Sequence, residues 1–261
     1  MNKTKFKQII WNYYKNNKRS FPWRETTDLY NIIISEIMLQ QTQTHRVQPK
    51  YEQFIQKFPD MESLAKASFS EVLKLWSGLG YNRRAMYLHK IVQNLVNKDL
   101  PDDPKELQKL PGLGKATAAS IIVFSRNIPL TFIETNIRRV YIHFFFKNQE
   151  NISDKDIEPL VEETVDEETP REWYYALMDY GVYLAKTVPN SNKKSKHYAK
   201  QSNFETSIRK IRGEIVRQLL NAPLSHQKLA ETIKDQRFTQ ALQALLKDGI
   251  IRKKNQIYSI A

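Results

Sequence analysis

The chain has 261 residues, enough for one large domain or two smaller ones, and its 41 Lys and Arg against 28 Asp and Glu give a formal net charge of +13, which favours a polyanionic partner. It contains no cysteine, which excludes disulfides, thiolate zinc sites and Cys-ligated iron–sulfur clusters, and its five histidines are scattered without metal-ligand spacing. Because we find no apolar run of about 18 residues and no signal peptide, we expect an intracellular protein with no membrane partner.

The main body of the chain is predicted to be mostly helical, because glycine is rare and apolar residues seldom alternate with polar ones. The predicted helices span, in chain order, residues 5–17, 29–43, 45–57, 61–67, 69–76, 82–97, 104–109, 115–125, 135–146, 154–164 and 170–186. Between the first two helices, Phe21–Arg24 is predicted to form an extended aromatic corner.

Two further regions follow the main body. Residues 189–203 are polar and basic and are predicted to be a loop or linker, for which contact with nucleic acid and a merely solvated tether both stay open. Residues 204–261 then predict helices at 206–220, from Ser225 onward and at 235–247, followed by a β-hairpin. Three helices and a two-stranded wing resemble a winged helix, a module that contacts DNA or other proteins.

In that module, four polar side chains are candidate DNA contacts. Arg237 and Gln240 are expected near one face of the third helix, and Lys253 and Lys254 are expected in the turn at the tip of the wing.

The segment Leu110–Ala118 is typical of a helix–hairpin–helix turn. Gly112 and Gly114 allow the backbone to approach a phosphate closely, and the helix that opens with Lys115 and Thr117 would direct its N–H groups at the anion. The alternative is an ordinary Pro-Gly turn between two helices. Twenty residues after Gly114 lies the carboxylate of Glu134, and this combination indicates chemistry on DNA.

A second acidic candidate, Glu36, lies beside the apolar stripe of the helix predicted at 29–43. Facing a pocket, it would have a pKa raised by desolvation and could act as a general acid; the alternative is a solvated surface glutamate. The amides and hydroxyl of Gln40, Gln41 and Thr42, which follow it, suit hydrogen bonds to base edges or insertion into a duplex.

The loop Leu75–Ala85 combines two glycines with an aromatic residue and two arginines. Tyr81 could wedge into a base stack while Arg83 and Arg84 hold phosphates. A helix C-cap with a packed tyrosine is the alternative.

Five motifs then occur in order and at characteristic intervals: Phe21–Arg24, Ser35–Gln43, Leu75–Tyr81, Leu110–Gly114 and Ala176–Gly181. Together they resemble the helix–hairpin–helix (HhH-GPD) DNA glycosylases over residues 8–186, and among these the MutY adenine glycosylases most closely. The Gln-Gln-Thr-Gln segment is the most specific motif, since the hairpin is shared across the superfamily.

The resemblance implies an all-α, two-lobed fold with DNA in the cleft and a flipped nucleotide. Glu36 matches the catalytic acid that protonates the departing adenine, and Glu134 matches an aspartate that stabilises an oxocarbenium-like sugar. Gln41 and Tyr81 match residues that probe the gap and the opposite base. The resemblance places the base pocket at Trp23, Arg24, Ala116 and Asn136.

Four features depart from the family pattern. Glu134 replaces the aspartate, and its extra methylene moves the carboxylate by about 1.5 Å. Ala116 stands where bifunctional relatives carry a lysine, so no Schiff base can form there. The four cluster-binding cysteines are absent and residues 189–200 take their place. The domain that reads 8-oxoguanine is replaced by the shorter C-terminal module.

The sequence thus predicts a monofunctional DNA glycosylase domain at 1–188, a basic linker at 189–203 and a winged-helix-like domain at 204–261. Its expected substrate is double-stranded DNA with a mispaired adenine opposite guanine or 8-oxoguanine. A thymine, uracil or damaged-base glycosylase and a non-catalytic DNA-binding homologue are the alternatives. We expect a cytoplasmic, nucleoid-associated monomer without a cofactor, although the hairpin carbonyls could hold a monovalent cation.

Overall fold

The computed structural model describes residues 1–98, 101 and 103–261, which form two compact units. Unit 1 contains Met1–Ile32 and Pro101–Lys200, and unit 2 contains Ile33–Leu100 and Gln201–Ala261. Each unit consists of two separate stretches of the chain, so the units do not coincide with the predicted regions 1–188, 189–203 and 204–261. That division into three regions stays a prediction. None of the helices in the described part is long and apolar enough to cross a membrane.

The helices and strands follow the predicted order closely. In chain order they are α1 Lys3–Asn17, α2 Leu29–Leu39, α3 Thr44–Lys57, α4 Met61–Lys66, α5 Phe69–Trp76, α6 Arg83–Leu95, α7 Pro104–Gln108, α8 Lys115–Arg126, α9 Thr135–Phe145, α10 Asp154–Thr164, α11 Pro170–Thr187, α12 Ile208–Asn221, β1 Leu224–Ser225, α13 His226–Thr232, α14 Phe238–Lys247, β2 Ile251–Lys254 and β3 Ile257–Ile260.

Aromatic side chains build the core of unit 1 where α1, α9 and α11 meet. Phe6 on α1 lies 5.2 Å from the ring of Tyr141 and 6.0 Å from that of Trp173, and all three are fully buried. Large tilted aromatic contacts of this kind contribute more than their buried area alone. They fix α9 and α11 to each other, and these two helices support most of the candidate site in this unit.

The aromatic corner after α1 is a 3-10 turn at Pro22–Arg24, so the extended conformation predicted for it is wrong. The turn brings Arg24 against Asp179 on α11, to which it donates two hydrogen bonds of 3.0 and 2.8 Å. Asp179 also accepts from the backbone N–H and the guanidinium of Arg19. The side chains of Arg24 and Asp179 are 3% and 1% exposed, so this ion pair is a fixed part of the core.

Replacing Asp179 by Asn is expected to lower the free energy of unfolding by about 3–5 kcal/mol, because the buried guanidinium of Arg24 would lose its counter-charge. Denaturant unfolding of both proteins would measure the difference. Glu62→Gln on α4, which breaks an exposed pair with Lys66, is the control and should leave stability unchanged. A loss no larger than that of the control would contradict the assigned role of Asp179.

Unit 2 combines α2 from Ile33 onward and α3–α6 with the C-terminal module, by which we mean residues 204–261. The module contains α12–α14 and a small antiparallel sheet in the order β1-β3-β2, with Arg252 opposite Ser259 and Leu224 opposite Tyr258. The third strand, β1, was not predicted because two residues carry no alternating pattern. Lys253 and Lys254 lie in β2, and the turn is formed by Asn255 and Gln256, both at positive φ.

Candidate active site

The candidate residues are divided between the two units, and each set has its own support. In unit 1, residues 109–114 connect α7 to α8 and form the hairpin that the sequence predicts. Leu107 and Leu113 are buried on its inner side, while Gly112 has a φ of +79° that a larger residue adopts only with strain. The hairpin is therefore anchored by apolar contacts and keeps its glycines toward solvent.

Gly114 is the N-cap of α8, and no side chain within the described ranges caps this helix. A Cβ on Gly114 would meet no described atom within 4 Å. The helix N-terminus thus offers backbone N–H groups and a favourable dipole to an anion. Lys115 is exposed and forms a surface ion pair with Glu158. Because exposed ion pairs contribute little free energy, a phosphate could take the place of the Glu158 carboxylate. Thr117 and Ala116 lie half-buried in the first turn.

Glu134 is the N-cap of α9, and its carboxylate is held rigidly. Its Oε1 accepts hydrogen bonds from the backbone N–H groups of Asn136 (2.7 Å) and Ile137 (2.9 Å). Its Oε2 accepts one from the side-chain Nδ2 of Asn136 at 3.3 Å. Burial raises the pKa of Glu134 above its usual value, although the two backbone N–H groups oppose this shift. The extra methylene relative to aspartate is accommodated within a capping geometry that aspartate itself favours.

A second layer of contacts holds Asn136. Arg139 donates to the Asn136 side-chain oxygen (2.7 Å) and to the backbone oxygen of Gly181 (2.9 Å). Gly181 on α11 approaches α9 so closely that a Cβ there would lie 2.6 Å from Asn136. Arg139 was not identified from the sequence. The one local sign of this contact is Gly181 in the Ala176–Gly181 motif, since a glycine within a helix allows α11 and α9 to approach closely.

Trp23 and Arg24 are both buried in unit 1. The ring of Trp23 stacks on Phe21 at 4.9 Å with an interplanar angle of 5°. Arg24 is committed to Asp179 and lies 4.3 Å from the ring of Tyr175. Their role at a base pocket stays a prediction; these contacts give both side chains a structural role in unit 1.

In unit 2, Glu36 is half-buried on α2, between fully buried neighbours such as Ile34 and Ile37. This position disfavours a simple solvated glutamate. The helix ends at Leu39 rather than at residue 43, and Gln41, at a φ of +54°, is exposed in the turn that follows. The glutamine segment is therefore a turn at a helix end and not part of the helix.

Arg84 explains why α2 ends there. Its guanidinium donates to the backbone oxygens of Ile37 and Met38, both at 2.9 Å, and to that of Gln40. These oxygens would otherwise accept the next hydrogen bonds of the helix. Arg84 also donates to the Thr42 hydroxyl at 2.9 Å and is 7% exposed. Its assignment to a DNA phosphate is therefore corrected: the side chain is buried, and both of its terminal nitrogens donate to groups inside the unit, among them Gln40 and Thr42.

Tyr81 and Arg83 both contact the C-terminal module. The half-buried Tyr81 accepts a hydrogen bond at its phenol oxygen from Arg209. Arg83 is exposed and pairs with Asp248, so it would have to leave this partner to bind a phosphate.

The module's own candidates differ in availability. Gln240 on α14 and Lys253 and Lys254 on β2 are exposed. Arg237 precedes α14 and forms a bidentate pair with Asp235, which favours a structural role for it. The wing lysines are thus better placed for phosphates than Arg237.

Residues 189–200 are not a solvated tether throughout. Within unit 1, a 3-10 turn at Ser191–Lys194 packs on α9, where Asn192 donates to the backbone oxygen of Thr135 at 3.0 Å, and Ser195 pairs with Ile152. This segment carries no thiolate, so its side chains do not fit a Cys-ligated cluster. Within residues 1–98, 101 and 103–261, no group of three His, Asp or Glu is arranged to hold a metal ion.

Comparison with known proteins adds a family match. The model described as "HhH-GPD superfamily base excision DNA repair protein" matches residues 34–167. A Buchnera aphidicola (subsp. Baizongia pistaciae) protein named adenine DNA glycosylase is 35% identical over 225 residues, covering 81% of this chain and 63% of the relative. A Mycobacterium tuberculosis protein of that name is 36% identical over 132 residues, covering 49% and 43%. The chain thus spans less than two thirds of the relatives' length.

Solved structures give the same fold. A thermostable thymine-DNA glycosylase is 28% identical with a TM-score of 0.65, covering 74% of this chain and 91% of that one. A trapped endonuclease III–DNA covalent intermediate has a TM-score of 0.61 at 17% identity, covering 72% and 89%, and at this identity the likeness shows the fold alone.

Proposed function

The chain belongs to the HhH-GPD superfamily of base excision DNA repair proteins, and we propose that it is a monofunctional DNA glycosylase that removes adenine mispaired with guanine or 8-oxoguanine. The observation that carries the proposal is the carboxylate of Glu134, fixed at the N-terminus of α9 by two backbone N–H groups. Relatives named adenine DNA glycosylase support the choice of base. The protein would act as a monomer on chromosomal DNA in the cytoplasm and need no cofactor.

In the proposed reaction, the open N-terminus of α8 and the exposed Lys115 bind phosphates, and the target nucleotide leaves the base stack. The Glu36 carboxyl gives its proton to a ring nitrogen of adenine as the N-glycosidic bond breaks and its electron pair goes to the base. Positive charge develops on the sugar and is stabilised by the Glu134 carboxylate. Water then adds to C1′, and its proton passes to the Glu36 carboxylate.

A panel of duplexes, each with one defined mispair or lesion, tests this assignment. After incubation and hot alkali, we expect strand cleavage at adenine opposite 8-oxoguanine or guanine. Cleavage only at thymine or uracil opposite guanine would favour the second candidate, which the similarity to a thymine-DNA glycosylase and the alanine at position 116 support. Tight binding without any abasic product would instead indicate a non-catalytic homologue.

We expect borohydride to trap no covalent protein–DNA adduct, because Ala116 offers no amine at the position of the lyase nucleophile. Denaturing electrophoresis after reduction in the presence of an active substrate would measure this. A trapped species would mean that another amine, for which the neighbouring Lys115 is the first candidate, acts as a lyase.

We propose that the C-terminal module is winged-helix-like and binds DNA phosphates through its wing. Replacing both Lys253 and Lys254 by Gln should then weaken binding equally for all sequences and reduce the slope of log affinity against log salt by about 2. Titrations at several salt concentrations would measure the slope. Replacing the exposed Lys66 on α4 and Lys90 on α6 by Gln removes the same number of charges and is the control, and an equal change there would remove the wing from the interface.

A further inference from the structure

The loop at residues 77–82, between α5 and α6, holds Tyr81 in a conformation that needs support. Gly78 and Gly80 have φ of +96° and +74°, and Tyr81 itself has a φ of +50°. For a bulky residue this left-handed conformation is costly and persists only where surrounding contacts hold it. The side chain of Trp76 supplies one contact, donating to the backbone oxygen of Gly80 at 3.0 Å.

The phenol oxygen of Tyr81 is held from the C-terminal part of the chain. Arg209 on α12 donates to it at 2.8 Å, and the side chain of Gln201 donates as well. The second terminal nitrogen of Arg209 donates to the backbone oxygen of Ser202 at 2.7 Å, which fixes the orientation of the guanidinium. Sequence reasoning gave Arg209 no role, because the two residues are 128 positions apart.

A buried carboxylate fixes the same helix to the residue after this loop. Asp248, at the end of α14, accepts from Arg212 on α12 at 2.5 Å and from Arg83 at the start of α6. The Asp248 side chain is 7% exposed, so its two guanidinium partners compensate a charge that is largely removed from water. The position of α12, and with it that of Arg209, is therefore tied to the backbone beside Tyr81.

Tyr81 is also linked to the turn at residues 40–42 that follows α2. The guanidinium of Arg84 lies 5.3 Å from the centre of the Tyr81 ring and donates to the backbone oxygen of Gln40 and to Thr42. One arginine thus supports both the ring of Tyr81 and the turn that exposes Gln41.

We propose that Arg209 is a positioning residue through which the C-terminal module sets how strongly the protein discriminates the base opposite the excised one. It acts on Tyr81 by holding the phenol oxygen, and Arg84 extends the support to the turn of Gln41. The proposal rests on the proposed function and on the family resemblance, by which Tyr81 and Gln41 match residues that probe the gap and the opposite base. It gives the module a role in recognition that differs from its contact with phosphates.

The test compares Arg209→Met, Arg209→Lys, Tyr81→Phe and the double variant Arg209→Met/Tyr81→Phe, all carrying Glu36→Gln to prevent turnover. The measurement is the ratio of dissociation constants for duplexes with A·T and with A·8-oxoguanine at one salt concentration. Arg209→Met and Tyr81→Phe should each reduce this ratio about tenfold, and the double variant should lose no more than Tyr81→Phe alone, because both substitutions remove the same Arg209–Tyr81 hydrogen bond. Arg209→Lys should keep most of the ratio.

Arg217→Met removes the same charge from the same helix without touching Tyr81 and should leave the ratio unchanged. Amide hydrogen exchange of the free protein supplies a readout that does not depend on DNA. Arg209→Met should raise exchange about tenfold within residues 77–82 and leave α8 unaffected.

A double variant whose loss is the sum of the two single losses, an equal loss in Arg217→Met, or unchanged exchange at 77–82 would each overturn the proposal. A parent protein that binds the two duplexes equally would contradict the proposed function. The exchange measurement would then still decide whether Arg209 positions Tyr81.

Discussion

Replacing Glu36 by Gln is expected to abolish adenine excision, by at least about 1,000-fold, while leaving duplex affinity nearly unchanged. The amide keeps the size of the side chain but can neither donate the proton that the departing base needs nor accept one from water. Because Glu36 is half-buried beside a fully buried apolar face, we expect water not to take its place as the proton donor. Single-turnover excision followed by alkali, with fluorescence anisotropy for binding, would measure both quantities.

Two controls keep this result interpretable. Glu62→Gln makes the same chemical change at an exposed position on α4 and should excise at the parent rate. Thermal unfolding of Glu36→Gln should resemble that of the parent, since the substitution is nearly isosteric. Excision within about tenfold of the parent would remove Glu36 from the role of general acid.

The sequence predicts the helices well because their signals are local. α3, α5 and α10 begin and end within one residue of the predicted bounds, and Ser68 and Ser153 occupy the capping positions that mark two of these starts. The hairpin was predictable for the same reason, because Gly112, at a φ of +79°, is required by a backbone geometry that spans only a few residues.

The errors arise from contacts between residues far apart in the chain. Arg84 ends α2 from 47 positions away, and no pattern within residues 29–43 reports this. The loop Leu75–Ala85 suggests that Arg83 and Arg84 hold phosphates, but Arg84 is an internal donor. Arg83 has a carboxylate partner, Asp248, that lies 165 positions away, so only the fold brings the two together.

Glu134 lies between these two cases. Its place as an acid near the hairpin followed from spacing and resemblance, but its function as an N-cap did not, because glutamate is not among the residues that favour this position. Its Oε1 takes two backbone N–H groups, which leaves the charge fixed at the positive end of α9.

Replacing Glu134 by Gln should therefore reduce excision about 100- to 1,000-fold, because the side-chain oxygen can still cap α9 while the charge opposite the developing cation is lost. The same substitution should raise the stability of the fold although it lowers activity. Since burial raises the pKa of Glu134 in the folded protein, the fold favours the protonated form, and stability falls as pH rises from the unfolded pKa through the folded one. Glu134→Gln should abolish this decline and be at least as stable as the parent at neutral pH.

Glu134→Asp separates charge from geometry. Aspartate restores the residue that the resemblance places here and is a better N-cap, so excision should stay within about tenfold of the parent. Because the reaction needs an ionised carboxylate and burial raises the pKa of Glu134, parent excision should decline on the acid side at a higher pH than an unshifted glutamate would give. Rates across pH 4–8 with Glu134→Gln, Glu134→Asp and the parent would measure this. Full activity in Glu134→Gln would assign the carboxylate to capping α9 alone and leave stabilisation of the sugar to another group.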